Sequence, residues 1–398
     1  MQNVNVVHIA IVVQFYSGLK QIIDENKWSH SGSPAYYNFV KQLDRHAEFT
    51  YQLILLETSK SSNKIQLLQL ENLNNKLIVV PYYSLLMSNH IDLIKKIENF
   101  YNKIRQYIVV FKFTKSTKFY YVDRDNFLFS FFALRFKDAK VVIRLLGITE
   151  NLYQYLTEKK NILSRIIKWV FNHPNVNFIC SNDGSFAEVV KSQYKDKFHL
   201  LFNGVDKNLK RNFQPSNKLK IVYLSRIVNN KGHADFIQGI SKSKVTNQLE
   251  VKIIGEGHLK NHLEQMVRDL NLEENIHFIG RLSHNDALRE LSKADLVFSI
   301  NYDGVFGNVV LEASQMGIPL AVLSHSGCLS LSQYNFFELE KDSYLVENIA
   351  KTLDKAVKDK VWLNDLSKKN EQFAENYLVN WNQRIDSELL IVKNFFYN

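Results

Sequence analysis

The stretch NYDGVFGNVVLEASQMGIPLAV, residues 301–322, combines a glycine turn, a short helical pattern and a return to an apolar run. At Gly304 and Gly307, backbone N–H groups can come close to an anion because no Cβ stands in the way. The helical segment after Gly307 has an N-terminus that favours negative charge. Glu312, in its second turn, is an acid of the kind that accepts hydrogen bonds from vicinal sugar hydroxyls. The stretch therefore predicts one end of a phosphate-binding pocket.

Short apolar runs alternate with helical periodicity on both sides of this stretch, which is typical of βαβ units in a parallel sheet. The strand candidates are VHIAIVV, YQLILLE, KLIVVPY, KFYYVD, KVVIRLL, VNFICS, FHLLFN, LKIVYLS, LEVKIIG, NIHFIG, DLVFSI and IPLAVLS. The polar residues 203–218 interrupt this rhythm and contain Pro215, as a linker does. We predict an α/β fold with two Rossmann-like, doubly wound parallel-sheet domains that face each other across a cleft.

The predicted boundaries follow from the same pattern. They are a first domain at residues 1–203, a linker at 204–217, a second domain at 218–376 and a terminal helix at 377–398. The terminal helix carries one apolar stripe, formed by Trp381, Ile385, Leu389 and Val392. We expect this stripe to pack back onto the first domain.

Composition narrows the class of protein. The 398 residues are 45% hydrophobic and 23% charged, which suits a soluble globular chain. No apolar run reaches the roughly 18 residues of a spanning helix, and the N-terminus lacks the features of a signal peptide. The two cysteines, Cys180 and Cys328, are too few for a disulfide framework. We expect a reduced, cytoplasmic protein.

The net charge of +10 is concentrated in residues 95–168, which hold sixteen Lys and Arg against six Asp and Glu. A lysine-rich solvated surface and a surface for an anionic partner both explain this excess. No nucleic-acid signature accompanies it. Residues 161–171, NILSRIIKWVF, have the spacing of a helix that lies in a bilayer interface or of a helix that faces a core. The segment thus suggests contact with the cytoplasmic face of a membrane as one interpretation.

Four consecutive strands of the second half end in glycine or cationic residues. Arg226 and Lys231 follow LKIVYLS, Gly255 follows LEVKII, and Gly280 with Arg281 follows NIHFI. Ligands of open parallel sheets bind at the carboxyl ends of strands. Arg supplies a planar fork and Lys a point charge, and both suit phosphate oxygens. Together with residues 301–322, these strand ends predict a site for a diphosphate ligand.

The segments LSRIVNNKGH, IIGEGH, FIGRLS and GVFGNVVLEASQMGIPL, in this order and spacing, resemble the donor domain of family 4 glycosyltransferases. These are retaining enzymes of the GT-B architecture. The resemblance is specific over residues 219–326 and fainter at LFNGVD and the terminal helix. It implies a nucleotide-diphosphate sugar donor held by the second domain, an acceptor held by the first, and no required metal or cofactor. No His, Asp and Glu residues are spaced as metal ligands.

The resemblance also implies roles for single residues. Arg226 and Lys231 match the diphosphate-binding pair, which acts on the leaving group, and Glu312 matches the ribose-binding glutamate. The phosphate-facing loop corresponds to Gly304, Phe306, Gly307 and Asn308. The turns at Gly255, Gly280 and Arg281 correspond to the border of the base pocket.

Two departures from the family pattern leave alternatives open. The family carries an acid where this chain has Gly304. Either Asp303 substitutes for it through a one-residue shift, which we favour, or the acid is missing. In the structural alternative, Asp303 only forms an ordinary Asp-Gly turn. The family also carries His-Gly after the strand that matches KVVIRLL, where this chain has Leu146 and Gly147, with Arg144 as the polar neighbour.

Two further segments of the first domain are candidates. Residues 30–38, HSGSPAYYN, resemble the flexible glycine loop near the donor through Gly32 and Ser33, or form a plain loop. Residues 123–126, DRDN, lie where an acceptor binds, or simply begin a helix.

The sequence therefore predicts a retaining glycosyltransferase that transfers a sugar to a glycan or lipid-linked glycan in bacterial surface polysaccharide biosynthesis. A sugar-nucleotide epimerase or phosphorylase on the same architecture, and a non-catalytic sugar-nucleotide-binding subunit, are the alternatives.

Overall fold

The computed structural model describes residues 6–14, 22–29, 34–58, 64–82, 92–303, 305, 307–324 and 336–397. The first domain contains β1 (Val7–Gln14), α1 (Pro34–Leu43), β2 (Phe49–Leu56), β3 (Gln66–Leu68), β4 (Leu77–Val80), α2 (Asp92–Phe113), β5 (Phe119–Asp123), α3 (Phe127–Lys137), β6 (Lys140–Leu145), α4 (Glu150–Thr157), α5 (Ile162–Asn172), β7 (Val176–Ser181), α6 (Ala187–Tyr194) and β8 (Phe198–Leu201). The predicted linker, residues 204–217, lies between β8 and the next strand and contains no helix or strand.

The second domain contains β9 (Leu219–Leu224), α7 (His233–Lys242), β10 (Leu249–Ile254), α8 (Lys260–Asp269), β11 (Ile276–Gly280), α9 (His284–Leu291), β12 (Leu296–Ser299), α10 (Asn308–Gln315), β13 (Leu320–Leu323), β14 (Phe337–Leu339), α11 (Leu345–Lys358) and α12 (Lys360–Tyr377). The terminal helix α13 (Trp381–Tyr397) follows.

Each domain is built on one sheet. The first sheet has the order β3-β4-β2-β1-β5-β6-β7-β8 and is parallel except for the β3–β4 pair. The second has the order β11-β10-β9-β12-β13-β14 and is parallel throughout. The strand order reverses between β1 and β5 and between β9 and β12, and such reversals open a crevice at the carboxyl ends of the strands. The predicted doubly wound α/β fold is confirmed.

The strands are apolar runs because helices cover both faces of each sheet. In β1, Ala10 and Val12 belong to the core on one face, whereas Ile9, Ile11 and Val13 belong to the core on the other. The alternation follows from the two-residue period of a strand. Burial on both faces holds the strand ends, and the loops that follow them, in defined places.

The terminal helix α13 packs on the first domain, as predicted. Ile385, Leu389, Val392 and Phe396 join the core that contains Phe39 of α1. At the edge of this contact, the Gln42 amide donates to the Asp386 carboxylate at 2.6 Å.

A buried charged cluster anchors the same helix. Glu388 accepts a hydrogen bond from the Tyr121 hydroxyl and lies 2.5 Å from Nη1 of Arg384 and 3.7 Å from Nε of Arg144. Arg384 also donates to the Phe202 carbonyl at 2.7 Å. Burial alone raises the pKa of a carboxyl, but the two guanidinium groups outweigh it and hold the pKa of Glu388 below its ordinary value. The cluster ties α13 to β5 and β6.

Helix α5 faces the core, as one of the two alternatives for residues 161–171 states, and contact with a bilayer stays a prediction. Ile167, Val170 and Phe171 are buried in the core of the first domain, whereas Ile162 and Trp169 are exposed. The Asn161 side chain caps the helix by accepting from the Ser164 N–H at 2.8 Å. Among the described residues, no helix is both long and apolar enough to cross a bilayer.

Candidate functional site

A cleft of about 940 Å³ lies between the two domains. Ser29 and Pro34 contribute from the first domain and Trp381 from the start of α13, whereas most of the lining comes from the second domain. The cleft brings together five of the predicted site residues: Arg226, Lys231, Gly307, Asn308 and Glu312. They meet because β9 and β12 are neighbours at the point where the strand order reverses, so that the loops after both strands open on the same crevice.

Arg226 and Lys231 lie in the loop after β9. Lys231 ends a short 3₁₀ turn, and its carbonyl accepts from the Tyr223 hydroxyl at 2.5 Å. Burial and the nearby positive charge of Arg226 lower the pKa of Lys231, while Asp303 opposes them. Two like charges at one rim repel each other, so that this arrangement favours an anion between them.

Helix α10 begins at the cleft. Its N-cap residue, Gly307, has extended backbone angles and provides no side-chain cap. The Val310 N–H donates to the Gly307 carbonyl at 3.0 Å, and a ligand can accept from the N–H groups of Asn308 and Val309. A Cβ built on Gly307 meets no atom of the described residues within 4 Å. Among these residues, the space in front of the glycine is open, as an approaching phosphate requires.

Glu312 lies one turn further along α10. Its carboxylate is 3.8 Å from Nε2 of His284, which also lines the cleft. Burial raises the pKa of Glu312 to about 7. The acid is therefore partly protonated at neutral pH while the cleft is empty, and hydroxyl donors from a ligand favour its ionised form.

Asp303 is close to the cleft but is not among its lining residues. Its carboxylate accepts from the Asn230 amide at 2.5 Å, and its own N–H donates to the Asn301 side chain at 3.2 Å. The side chain is exposed, and its charge acts on Lys231. Its predicted catalytic role stays a prediction, and Gly304 and Phe306 lie outside the described residues.

The predicted base border shows a packing reason for its glycines. A Cβ on Gly255 would lie 1.9 Å from the Ser225 carbonyl oxygen, and Gly255 has φ +144°. The Gly255 N–H donates to the Gly280 carbonyl at 2.9 Å. Gly255, Gly280 and Arg281 are not among the residues that line the cleft, so that their contact with a base stays a prediction.

Arg144, the predicted polar neighbour of Leu146 and Gly147, is not among the residues that line the cleft, and a role at the donor stays a prediction. Its side chain is only 1% exposed and lies against Glu388, with Nη2 3.4 Å from Oδ1 of Asn203. The reason is the face of β6 on which Arg144 lies, since α13 covers that face. Arg144 belongs to the buried charged cluster rather than to the cleft.

Of the other predicted residues of the first domain, one has a conformation and packing that require glycine, and two are not among the described residues. Gly147 has φ +88°, and a Cβ there would be 2.0 Å from the Asp183 carboxylate. Asp183 is buried, and burial raises its pKa to about 7. Gly32 and Ser33 lie outside the described residues.

The segment 123–126 leads into a helix, as one alternative states. Residues Arg124–Asn126 form a 3₁₀ turn, and α3 follows with Asn126 at its N-cap position. Asp123 accepts from the Gln14 N–H at 2.5 Å and from the Asn126 amide at 2.6 Å. Burial raises the pKa of Asp123 to about 7. An acceptor role for this strand end stays a prediction.

Two polar or aromatic residues that line the cleft, His284 and Trp381, were not predicted as site residues, and neither was Asn203, which contacts Asn308. His284 follows FIGRLS at the carboxyl end of β11, so its strand-end position was the available signal. Trp381 was assigned only to packing. Asn203 donates to the Asn308 side chain at 2.9 Å, a contact between distant parts of the chain that no sequence spacing indicates.

The chain also resembles known proteins in sequence and in fold. Residues 204–377 match the family described as glycosyl transferases group 1. Over 219 residues the chain is 25% identical to the N-acetylgalactosamine-N,N'-diacetylbacillosaminyl-diphospho-undecaprenol 4-alpha-N-acetylgalactosaminyltransferase of Campylobacter jejuni, covering 52% of this chain and 58% of that protein. The matched region spans less than two thirds of the length of the first curated relatives.

Two solved structures share the fold over nearly the whole chain. Sucrose-phosphate synthase from Thermosynechococcus elongatus superposes with a TM-score of 0.68 at 12% identity, covering 98% of this chain and 99% of that one. Anabaena HepE in complex with UDP and glucose superposes with a TM-score of 0.64 at 14% identity, covering 96% and 100%. Residues 204–377 therefore match the glycosyl transferases group 1 family, and the chain has the GT-B fold.

Proposed function

We propose that the chain is a retaining glycosyltransferase that moves a sugar from a nucleotide-diphosphate sugar to a glycan or lipid-linked glycan. One observation carries the proposal. Two cationic side chains, the uncapped start of α10 and the acid Glu312 all line one cleft between the domains. The cations and the helix N-terminus suit a diphosphate, and the acid suits a ribose.

In the proposed reaction, the bond between the anomeric carbon and the diphosphate oxygen breaks, and its electron pair stays on the diphosphate. The acceptor hydroxyl oxygen bonds to the same carbon on the same face, and its proton passes to the departing phosphate oxygen. Arg226, Lys231 and the first N–H groups of α10 stabilise the growing negative charge through groups already in place. Closure of the cleft keeps water from the donor.

We propose that this reaction needs no metal or other cofactor, because the two side chains and the helix N-terminus carry positive potential to the leaving group. Activity after dialysis against EDTA measures this directly. Full activity agrees with the proposal, whereas a loss restored by Mg²⁺ or Mn²⁺ contradicts this part of it.

The acceptor is proposed from the first domain and from one relative. The Campylobacter jejuni relative is named for an acceptor on diphospho-undecaprenol. In this chain, the segment 95–168 is strongly basic, and α2 and α5 expose Phe100 and Ile162. We therefore propose a lipid-linked acceptor reached at the cytoplasmic face of a membrane. In a flotation assay, the protein should bind to anionic vesicles only. Equal binding to neutral and anionic vesicles, or binding to neither, contradicts the proposed membrane contact.

Calorimetric titration with UDP, GDP and ADP, followed by transfer assays with the sugar nucleotides of the base that binds, tests the function itself. We expect one nucleotide diphosphate to bind and its sugar to be transferred with its anomeric configuration kept, as read by NMR of the product. Binding without transfer to any acceptor would identify a non-catalytic binding subunit. Conversion of the donor alone would identify an epimerase.

A further inference from the structure

A second cavity, of about 570 Å³, lies in the first domain, away from the nucleotide cleft. Helices α2, α3, α4 and α5 enclose it, and most of its lining is apolar. Its volume is in the range of small-molecule pockets, about 300–1,000 Å³. Side chains of four helices line a space that none of the described residues fills.

Charged residues form part of the lining of this cavity. Lys103 of α2 and Arg124 line it, together with the single acid Asp125. Arg124 directly follows β5, and Thr149, another lining residue, follows β6 by a few positions. The carboxyl ends of β5 and β6 form the edge of the sheet that faces the second domain. The charged part of the lining therefore lies at the edge where an acceptor is expected.

Arg124 connects this part of the lining to the edge of the sheet. Burial raises the pKa of Asp123 and of Asp183, and the positive charge of Arg124 partly opposes this in both. The same guanidinium therefore acts on two carboxyls at the strand ends and lines the apolar cavity. A ligand that touches Arg124 can reach both regions.

The rest of the lining is mainly apolar, and part of it is exposed to solvent. Phe100, Ile162 and Leu163 line it, and they are 57%, 77% and 42% exposed. Exposed apolar side chains gathered at one place mark a binding surface more often than isolated ones do. An apolar cavity with two cations and one acid at its rim is complementary to a hydrocarbon chain that carries a strongly anionic head.

We propose that this cavity binds the first part of the hydrocarbon chain of a lipid-diphosphate acceptor, with the diphosphate at Lys103 and Arg124. The proposal rests on the proposed function, and it names the substrate class of the acceptor side. The glycan attached to the diphosphate then extends from the rim toward the nucleotide cleft.

Titration of the full chain with farnesyl diphosphate, compared with inorganic diphosphate, tests the proposal. We expect farnesyl diphosphate to bind at least tenfold more tightly, because only it has a chain to bury. Leu163→Glu places a carboxylate in the cavity and should lower its affinity at least tenfold. Leu390→Glu is the matched control, since Leu390 is a 58% exposed leucine on α13 outside the cavity. Lys103→Ala should weaken binding, and Lys112→Ala, on the same helix, should not.

Equal affinities for farnesyl diphosphate and inorganic diphosphate overturn the proposal. Equal losses in Leu163→Glu and Leu390→Glu also overturn it. UDP titration of the same variants separates this result from the proposed function, since the nucleotide cleft contains none of these residues. Wild-type protein that binds farnesyl diphosphate in this pattern but no nucleotide diphosphate supports the lipid cavity and contradicts the glycosyltransferase function.

Discussion

The side-chain amide of Asn203 donates to the side-chain oxygen of Asn308 across 2.9 Å and joins the end of the first domain to the first residue of α10. Asn203 also accepts from the Ser181 hydroxyl at 3.2 Å and lies 3.4 Å from Nη2 of Arg144. The residue predicted to face the donor phosphate is thus held by the junction between the domains.

Replacement of each asparagine separates the structural bond from the predicted ligand contact. Asn203→Ala should lower the free energy of unfolding by about 1–2 kcal/mol through the lost hydrogen bond, with UDP affinity nearly unchanged. Asn308→Ala loses the same bond and the contact to phosphate, so that UDP affinity should also fall about tenfold or more. Chemical denaturation and calorimetry measure both. Equal UDP affinities in the two variants would contradict the predicted contact between Asn308 and the phosphate.

Arg226 and Lys231 should each be required for turnover. Arg226→Ala and Lys231→Ala remove positive charge from the leaving diphosphate, and each should lower kcat by about 10²–10³, as loss of an oxyanion donor does. Lys260→Ala is the control, since Lys260 pairs with Glu256 at 2.9 Å outside the cleft. Initial rates with saturating donor give the comparison. Rates near wild type in either cleft variant would count heavily against the assignment.

Glu312 should make nucleotide binding depend on pH. Burial raises its pKa to about 7, and a ribose needs the ionised form as acceptor, so that UDP affinity should increase as the pH rises from about 6 to about 8. Glu312→Gln should lose this dependence. The terminal phosphate of UDP titrates in the same range, but it does so with both proteins and cancels in the ratio of their affinities. A ratio independent of pH would contradict the role of Glu312.

The Glu312 carboxyl should also make the folding stability depend on pH, and its contribution should fall as the pH rises, whereas UDP affinity should increase. Its pKa is higher in the folded protein than in the unfolded chain, so the folded state holds the proton more tightly. Its contribution to the free energy of unfolding is therefore greatest below the unfolded value and is lost as the pH rises toward about 7. In the absence of ligand, Glu312→Gln should gain stability relative to wild type between about pH 5 and pH 8. Denaturation curves at the two pH values measure this gain.

Arg144 should matter for stability and not for the donor. Arg144→Met leaves Glu388 with one guanidinium partner in a buried place and should cost about 3 kcal/mol of unfolding free energy. Lys242→Met removes the exposed partner of Glu347, 2.7 Å away, and should cost much less. UDP affinity should be unchanged in both variants. If Arg144→Met kept its full stability but lost sugar transfer, that result would support a role of Arg144 at the donor.

Substitution by alanine should weaken UDP binding at Gly307 and lower the folding stability at Gly255. Gly307 has φ −83° and ψ 177°, which any residue adopts, and no atom of the described residues lies within 4 Å of its Cβ position. Gly307→Ala should keep its stability but bind UDP about tenfold more weakly or worse, because the methyl group takes the space of the phosphate. Gly255→Ala should unfold more easily, since its Cβ would lie 1.9 Å from a carbonyl oxygen. A stable Gly307→Ala that binds UDP normally would contradict the phosphate contact.

The predicted fold and the main diphosphate residues followed from local patterns. Apolar runs of strand length mark buried parallel strands, and the residues just after them are brought to one edge by the geometry of the sheet. Arg226, Lys231 and Gly307 could therefore be placed together from the sequence. The same rule assigned Gly255 to the base border; the close approach of the Ser225 carbonyl also requires a glycine there, and its contact with a base stays a prediction.

By itself, the sequence determined the two parallel sheets, the strand ends that carry charge and the helix that returns to the first domain, because each depends on the periodicity of a short segment. Tertiary structure alone decided that Arg144 is buried beneath α13, that Asp303 bonds to Asn230, and that four helices of the first domain enclose a cavity. These features depend on which faces meet across long separations in the chain, and a strand or helix pattern does not encode its partner.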